Sequence, residues 1–286
     1  MCLSRTFVNK ETGEETTTYF HSVLEAKIVL GDSLVISLAS EFIENEGEDT
    51  ERQRLMGAEK YKQDCETKAF MRLAAKIKQA FPRLPICILG DSLYASEKVF
   101  QICDENRRAY LIRFKNGSIP SVAEEFHLLK NREQKNQTED MKWVNGIAYR
   151  NREVNVMEFL LERKDRTTVF QWITNLEIKT AKRAGLYAVT GRKRWKIENE
   201  GFNIQKNLRY GITHVNSKNC NAMKNHYLLT QTADIILQLY EKGIPIIKEL
   251  NKTIKNISSD LLASFGQQLT REDISYTEKC PSQSIP

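Results

Sequence analysis

The sequence predicts an α/β protein with a layered core, and three observations carry that prediction. Two strand-like runs, 19–30 and 34–43, flank the turn signal Gly31-Asp32-Ser33 and read as a β-hairpin. Phe70, Leu73, Ala74, Ile77 and Phe81 recur at helical spacing, so 64–80 reads as an amphipathic helix. The continuous apolar run 86–89 suits a central strand covered on both faces. A hairpin, a helix and a strand in this order begin an α/β layered arrangement.

The remaining elements follow in chain order. Residues 9–18, rich in threonine and glutamate, read as a turn or loop. Residues 44–62 are acidic and polar at first, then basic. Asp64 stands where an N-cap or first-turn residue belongs, and Pro82 and Pro85 close the helix. Ser96 opens a helix to about Asn106, and 109–114 is a further strand. Residues 127–178 change character: charged stretches separate the strand-like runs 143–149, 155–162 and 167–175, which read as an antiparallel β insertion. Residues 185–191 form a junction before a helix from about Arg192. A long helix over 221–240 precedes a tail rich in Ser, Thr and Pro.

Composition narrows the function. The chain has 286 residues and a formal charge of +6, unevenly placed: 179–218 hold ten Lys and Arg against two Glu. A local basic field of this kind favours a nucleic-acid backbone as partner. Six cysteines are scattered without a C-x-x-C pair, as expected of reduced thiols, with Cys87 in an apolar strand and Cys103 in an amphipathic helix. No run is long enough for a membrane span, and Met1-Cys2-Leu3-Ser4-Arg5-Thr6 lacks a signal-peptide apolar run, so a cytoplasmic location is expected. There is no glycine-rich dinucleotide loop, P-loop or His-Glu-x-x-His, which disfavours a metabolic enzyme. The four histidines form no short-range cluster.

Two segments carry candidate chemistry. Asp91 follows the apolar strand and sits at its carboxyl end, where ligands bind in open α/β sheets; a turn-capping role is the plain alternative. Arg194 and Glu198, four apart, share a helix face, and a surface ion pair is the plain alternative there. Glu200 points about 200° away from Glu198 on an α-helix. Carboxylates in a basic setting suit divalent cations that activate an attacking oxygen while flanking cations hold phosphates.

Tyr19-Phe20-His21-Ser22-Val23-Leu24-Glu25-Ala26-Lys27, Leu38-Ala39-Ser40-Glu41-Phe42-Ile43, Gly90-Asp91-Ser92-Leu93-Tyr94-Ala95 and Arg194-Trp195-Lys196-Ile197-Glu198-Asn199-Glu200-Gly201-Phe202-Asn203, in this order, resemble DDE transposases of the IS4-like group. Asn221-Ala222-Met223-Lys224-Asn225 resembles the helix that follows the catalytic glutamate, so the likeness spans residues 2–240. It implies a ribonuclease-H-like catalytic core with an antiparallel β insertion: core over 1–126, insertion over 127–185, glutamate helix and closing helices over 186–240, tail over 241–286. It implies Asp91 and Glu198 as second and final acids of a triad that binds Mg²⁺ or Mn²⁺. Arg194, Lys206 and Lys193 would hold DNA, and Trp143 or Trp172 would stack on a displaced base or else belong to the insertion core. Partners implied are double-stranded DNA at transposon ends, target DNA and a second copy of the chain, with a nucleoid-associated place in a prokaryotic cytoplasm.

The chain departs from that pattern. Gly191 and Gln205 stand where the signature has Tyr and Lys; Lys206 is one residue late and Tyr187 four early, which leaves Glu200 an alternative final acid. No aspartate precedes Tyr19, so the first acid and its strand are missing from their expected place. An N-terminally truncated transposase with little or no activity of its own is expected. Two other readings stand beside it: a nuclease whose third acid is Glu25, Asp32 or Glu41, and a DNA-binding remnant without catalysis.

Overall fold

The computed structural model describes residues 3–31, 34–44, 64–132, 136–163, 166–214, 216–217, 219–243 and 253–265. Asp32, Ser33, most of 44–62 and the tail from 266 lie outside the described residues. The chain divides into two compact units, 1–232 and 233–286.

The first unit opens with a ribbon of β1 (Leu3–Val8) and β2 (Glu15–Phe20). Strand extends into the expected loop because Thr16, Thr17 and Thr18 are β-branched, and Thr6 and Thr17 hydroxyls meet across the pair at 2.9 Å. The turn shrinks to 9–14, where Asn9 Oδ1 accepts from the Glu11 amide at 2.9 Å. The run expected as one strand from 19 to 30 therefore breaks at His21. β3 (Ser22–Leu30) and β4 (Leu34–Ile43) form the predicted antiparallel hairpin, a separate two-stranded sheet among the described residues.

α1 (Glu66–Ala80) buries Ala69, Phe70 and Leu73. Cys65, not Asp64, takes its N-cap position; Asp64 instead accepts from the Glu44 amide at 3.1 Å and pairs with Arg72 at 2.6 Å. Arg72 also pairs with Glu41 of β4, which fastens the helix to the hairpin.

A five-stranded sheet follows: β5 (Cys87–Gly90), β6 (Ala109–Arg113), β7 (Met141–Tyr149), β8 (Arg152–Arg163) and β9 (Arg166–Thr174), in the order β5-β6-β9-β8-β7. β5 and β6 are parallel and the other pairs antiparallel. One expectation changes here: the strand expected to be central lies at a sheet edge among the described residues, and Cys87 is exposed. The antiparallel strands β7–β9 join the same sheet, because β9 pairs with β6, Ile112 opposite Ile173.

Period-two alternation gives that sheet two buried faces. Tyr110, Ile112, Val144, Val156 and Ile173 face α2 (Glu97–Glu105) and α3 (Pro120–Leu129), which contribute Val99, Phe100, Cys103, Val122 and Phe126. Leu111, Trp143, Met157 and Trp172 face α4 (Ala181–Arg192), which contributes Ala184, Tyr187 and Ala188. α3 begins with Pro120 at its first turn and runs through the expected 126/127 boundary, with Phe126 fully buried. The expected 185–191 junction lies inside α4, whose N-cap Thr180 accepts from the Arg183 amide.

After a short helical turn at Arg194–Lys196, the chain is π-helical over Ile197–Asn203 and Gln205–Arg209. α5 (Cys220–Gly243) carries the unit boundary, and α6 (Ile254–Phe265) belongs to the second unit. Among the described residues, no helix is long and apolar enough to cross a membrane.

Candidate nucleic-acid interface

The parallel pair β5–β6 places Gly90 opposite Ile112, so the residues that follow, Asp91 and Arg113, meet at the carboxyl ends of adjacent strands. Both line a cavity of about 660 Å³ on the sheet face that α4 covers. Lys115, Arg163, Arg192 and Arg194 complete its cationic wall, and Phe170, Trp172 and Trp195 supply aromatic surface. One carboxylate thus stands among five cations, an arrangement that attracts polyanions.

Arg113 is the most constrained of these. Its Nη2 donates to the Val169 carbonyl at 2.8 Å, and the guanidinium lies 4.7 Å from the Phe170 ring centroid and 5.7 Å from that of Trp172. Its Nη1 is buried without a hydrogen-bond partner. Burial lowers the Arg113 pKa, and the nearby Arg194 charge lowers it further.

Alternate positions on β9 send Phe170 and Trp172 to one side, where their rings stack at 5.7 Å and 10°. Arg192 extends over Phe170, 5.8 Å from its centroid. Gly191 is required by the indole: a Cβ there would lie 2.4 Å from Trp172 Nε1. A tyrosine could not occupy position 191 with Trp172 where it is.

The residues singled out in the sequence are only partly assembled. Asp91 lines the cavity, yet its Oδ1 accepts from the Leu93 amide at 2.9 Å, so it also caps the 92–94 turn. Arg194 lines the cavity and pairs with Glu198 at 2.7 Å; Glu198 itself is exposed and not part of the lining. Glu200 pairs with Lys196 at 2.7 Å. Lys193 is turned away, its Nζ donating to the Gly31 carbonyl at 3.0 Å. Lys206 is exposed with its Nζ 5.7 Å from the Phe202 ring centroid. Trp143 is a core residue on β7 and takes no part, whereas Trp172 lines the cavity although it is 2% exposed.

Position 205 has a structural account. Gln205 is fully buried and bonded to Gln231, so it faces inward, while Lys206 faces solvent. The proposed third acids are engaged elsewhere. Glu41 pairs with Arg72 and Lys76; burial alone would raise its pKa, but those partners hold it lower. Glu25 accepts from the Tyr227 hydroxyl at 3.1 Å, and burial raises its pKa despite that bond. Asp32 lies outside the described residues. Among the described residues, no three His, Cys, Asp or Glu side chains are placed to share a metal ion.

Sequence reasoning missed Arg113, Lys115, Arg163, Phe170 and Arg192. Arg113 had a local signal, a lone arginine closing the apolar run Ala109-Tyr110-Leu111-Ile112. The others meet only because β9 docks on β6. In comparisons with known proteins, no family model and no characterised sequence matches the chain.

Proposed function

We infer that this cavity binds a nucleic-acid strand, with phosphates on the arginines and a base against the aromatic wall. The observation that carries this reading is the cavity lining: five cations and three aromatic rings around one carboxylate. Strand-binding grooves combine cations with stacking surfaces, and this lining supplies both.

Within that reading, the protein is a DDE transposase of the IS4-like kind with a ribonuclease-H-like core. Its support is the order of motifs, with Asp91 at the end of a parallel strand and Arg194 four before Glu198. For cleavage and strand transfer at transposon ends, Asp91 and Glu198 would bind Mg²⁺ or Mn²⁺ with a further acid. The DNA ends, the target duplex and a second copy of the chain are its partners, at the nucleoid. The described carboxylates do not assemble such a donor set, so no catalytic step is assigned to them. This chain alone is proposed to bind DNA without cutting it.

The test is incubation of the purified chain with duplex and single-stranded oligonucleotides, with and without Mg²⁺. Binding without cleavage is expected. Cleavage that needs Mg²⁺ would overturn the inactive reading, and absence of binding at low salt would overturn the nucleic-acid reading.

A further inference from the structure

The segment that follows Arg194 and Trp195 makes two consecutive π-helical stretches, Ile197–Asn203 and Gln205–Arg209. Such wide turns are rare and concentrate at functional sites, so something must hold this one open. Gly201 lies so close to β3 that a Cβ there would be 3.2 Å from Lys27 Cδ. Gln205 and Gln231 of α5 exchange two amide hydrogen bonds, Gln205 Nε2 to Gln231 Oε1 at 3.0 Å and Gln231 Nε2 to Gln205 Oε1 at 3.2 Å. Lys27 Nζ donates to the same Gln231 Oε1 at 3.0 Å, and lies 5.5 Å from the Phe202 ring centroid. Gln205 and Gln231 are 0% and 3% exposed. One amide therefore reads three elements: β3, the π-helical segment and α5.

Directionality gives this contact a consequence that apolar packing lacks. A buried, satisfied amide pair accepts one relative rotation of its two helices, because any other leaves polar groups unpaired. Rotation of 197–209 moves the turn that precedes it, which carries Arg194 and Trp195 into the cavity wall. We propose that Gln231 is a positioning residue for the cavity: through Gln205 and Lys27 it fixes the rotation of the π-helical segment, and thereby the placement of Arg194 and Trp195. The link to oligonucleotide binding rests on the reading of the cavity given above; the link to backbone order does not.

The test is hydrogen exchange on the full chain, paired with oligonucleotide affinity. Gln231→Leu removes three hydrogen bonds and should speed exchange at 197–209 by at least about tenfold, while the amides of β6, β8 and β9 keep their rates. Gln231→Glu keeps the acceptor for Gln205 Nε2 and Lys27 but loses the donor to Gln205 Oε1, so its exchange at 197–209 should fall between wild type and Gln231→Leu. Uniform acceleration across the unit, or unchanged exchange at 197–209, overturns the proposal. Should Gln231→Leu fail to fold, the double variant Gln205→Leu/Gln231→Leu removes both amides and leaves neither orphaned; faster exchange confined to 197–209 supports positioning, and wild-type exchange there overturns it. Oligonucleotide Kd should rise about tenfold in Gln231→Leu and by less in Gln231→Glu. Faster exchange at 197–209 with unchanged Kd would support the positioning role and overturn the nucleic-acid reading of the cavity.

Discussion

Replacing Gly191 with alanine puts a methyl carbon 2.4 Å from Trp172 Nε1 and 2.6 Å from Cε2. Carbon atoms settle at about 3.5–4.0 Å, so indole or helix must retreat by about 1 Å. Trp172 has little room to do so: it is 2% exposed, stacked on Phe170 and close to the Arg113 guanidinium. Overpacking of a filled core costs about 1–3 kcal/mol, and a contact this short belongs at the upper end. Alanine in place of glycine inside a helix returns about 1 kcal/mol. The net expectation is a loss of about 2 kcal/mol, or about 4–8 °C in Tm for a unit of this size. Gly185 is the internal control, since it lies in the same helix and a Cβ there meets only Met141 Cε at 4.0 Å. Gly185→Ala should raise Tm. Thermal unfolding followed by far-ultraviolet circular dichroism and tryptophan fluorescence reads both. If Gly191→Ala matches Gly185→Ala in Tm and leaves the tryptophan emission unchanged, helix α4 and Trp172 do not meet as described.

Arg72→Met should lower stability by about 1–2 kcal/mol, read by urea unfolding, because it removes the tie from α1 to Asp64 and Glu41; its partial exposure keeps the figure modest. Glu25 supplies a pH test. Its folded pKa is raised above 4.5, so the folded state keeps a proton that the unfolded state releases, and stability falls as pH climbs from the ordinary carboxylate range through the raised value. Glu25→Gln should remove that decline, and a wild-type pH profile in the variant would contradict the assignment. Trp143→Phe should lower Tm without altering oligonucleotide Kd, because Trp143 is core and not cavity wall; a change in Kd at matched folded fraction would contradict that placement.

Local chemistry made the hairpin 22–43, the helix over 66–80 and the strand leading to Asp91 legible. Alternation, helical spacing and a bounded apolar run each act within a few residues. What escaped is what long-range pairing decides. Nothing within 127–178 says that β9 will choose β6, yet that choice joins the antiparallel strands to the sheet and brings Phe170 and Arg163 to the cavity that Asp91 lines. Helix α3 was missed although Pro120 at its first turn is a start signal. Four-residue spacing predicts the Arg194–Glu198 pair, and its 2.7 Å contact is present, but the π-helical turns beyond it depend on Gly201 and Gln205 meeting β3 and α5. Asp91 was legible because a strand end is a local feature; the unpartnered Nη1 of Arg113 was not, because it emerges only when Phe170, Trp172 and Arg194 surround it.

The central claim is that the cavity beside Asp91 is a phosphate-binding wall for nucleic acid, and its most direct measurement is the salt dependence of oligonucleotide Kd for wild type and Arg113→Gln. If Arg113 holds a phosphate, the variant binds more weakly at low salt, and the slope of log K against log salt falls in magnitude by about 0.7–0.9. Equal affinity and equal slope in the two proteins would contradict the claim and leave the cavity without its proposed ligand.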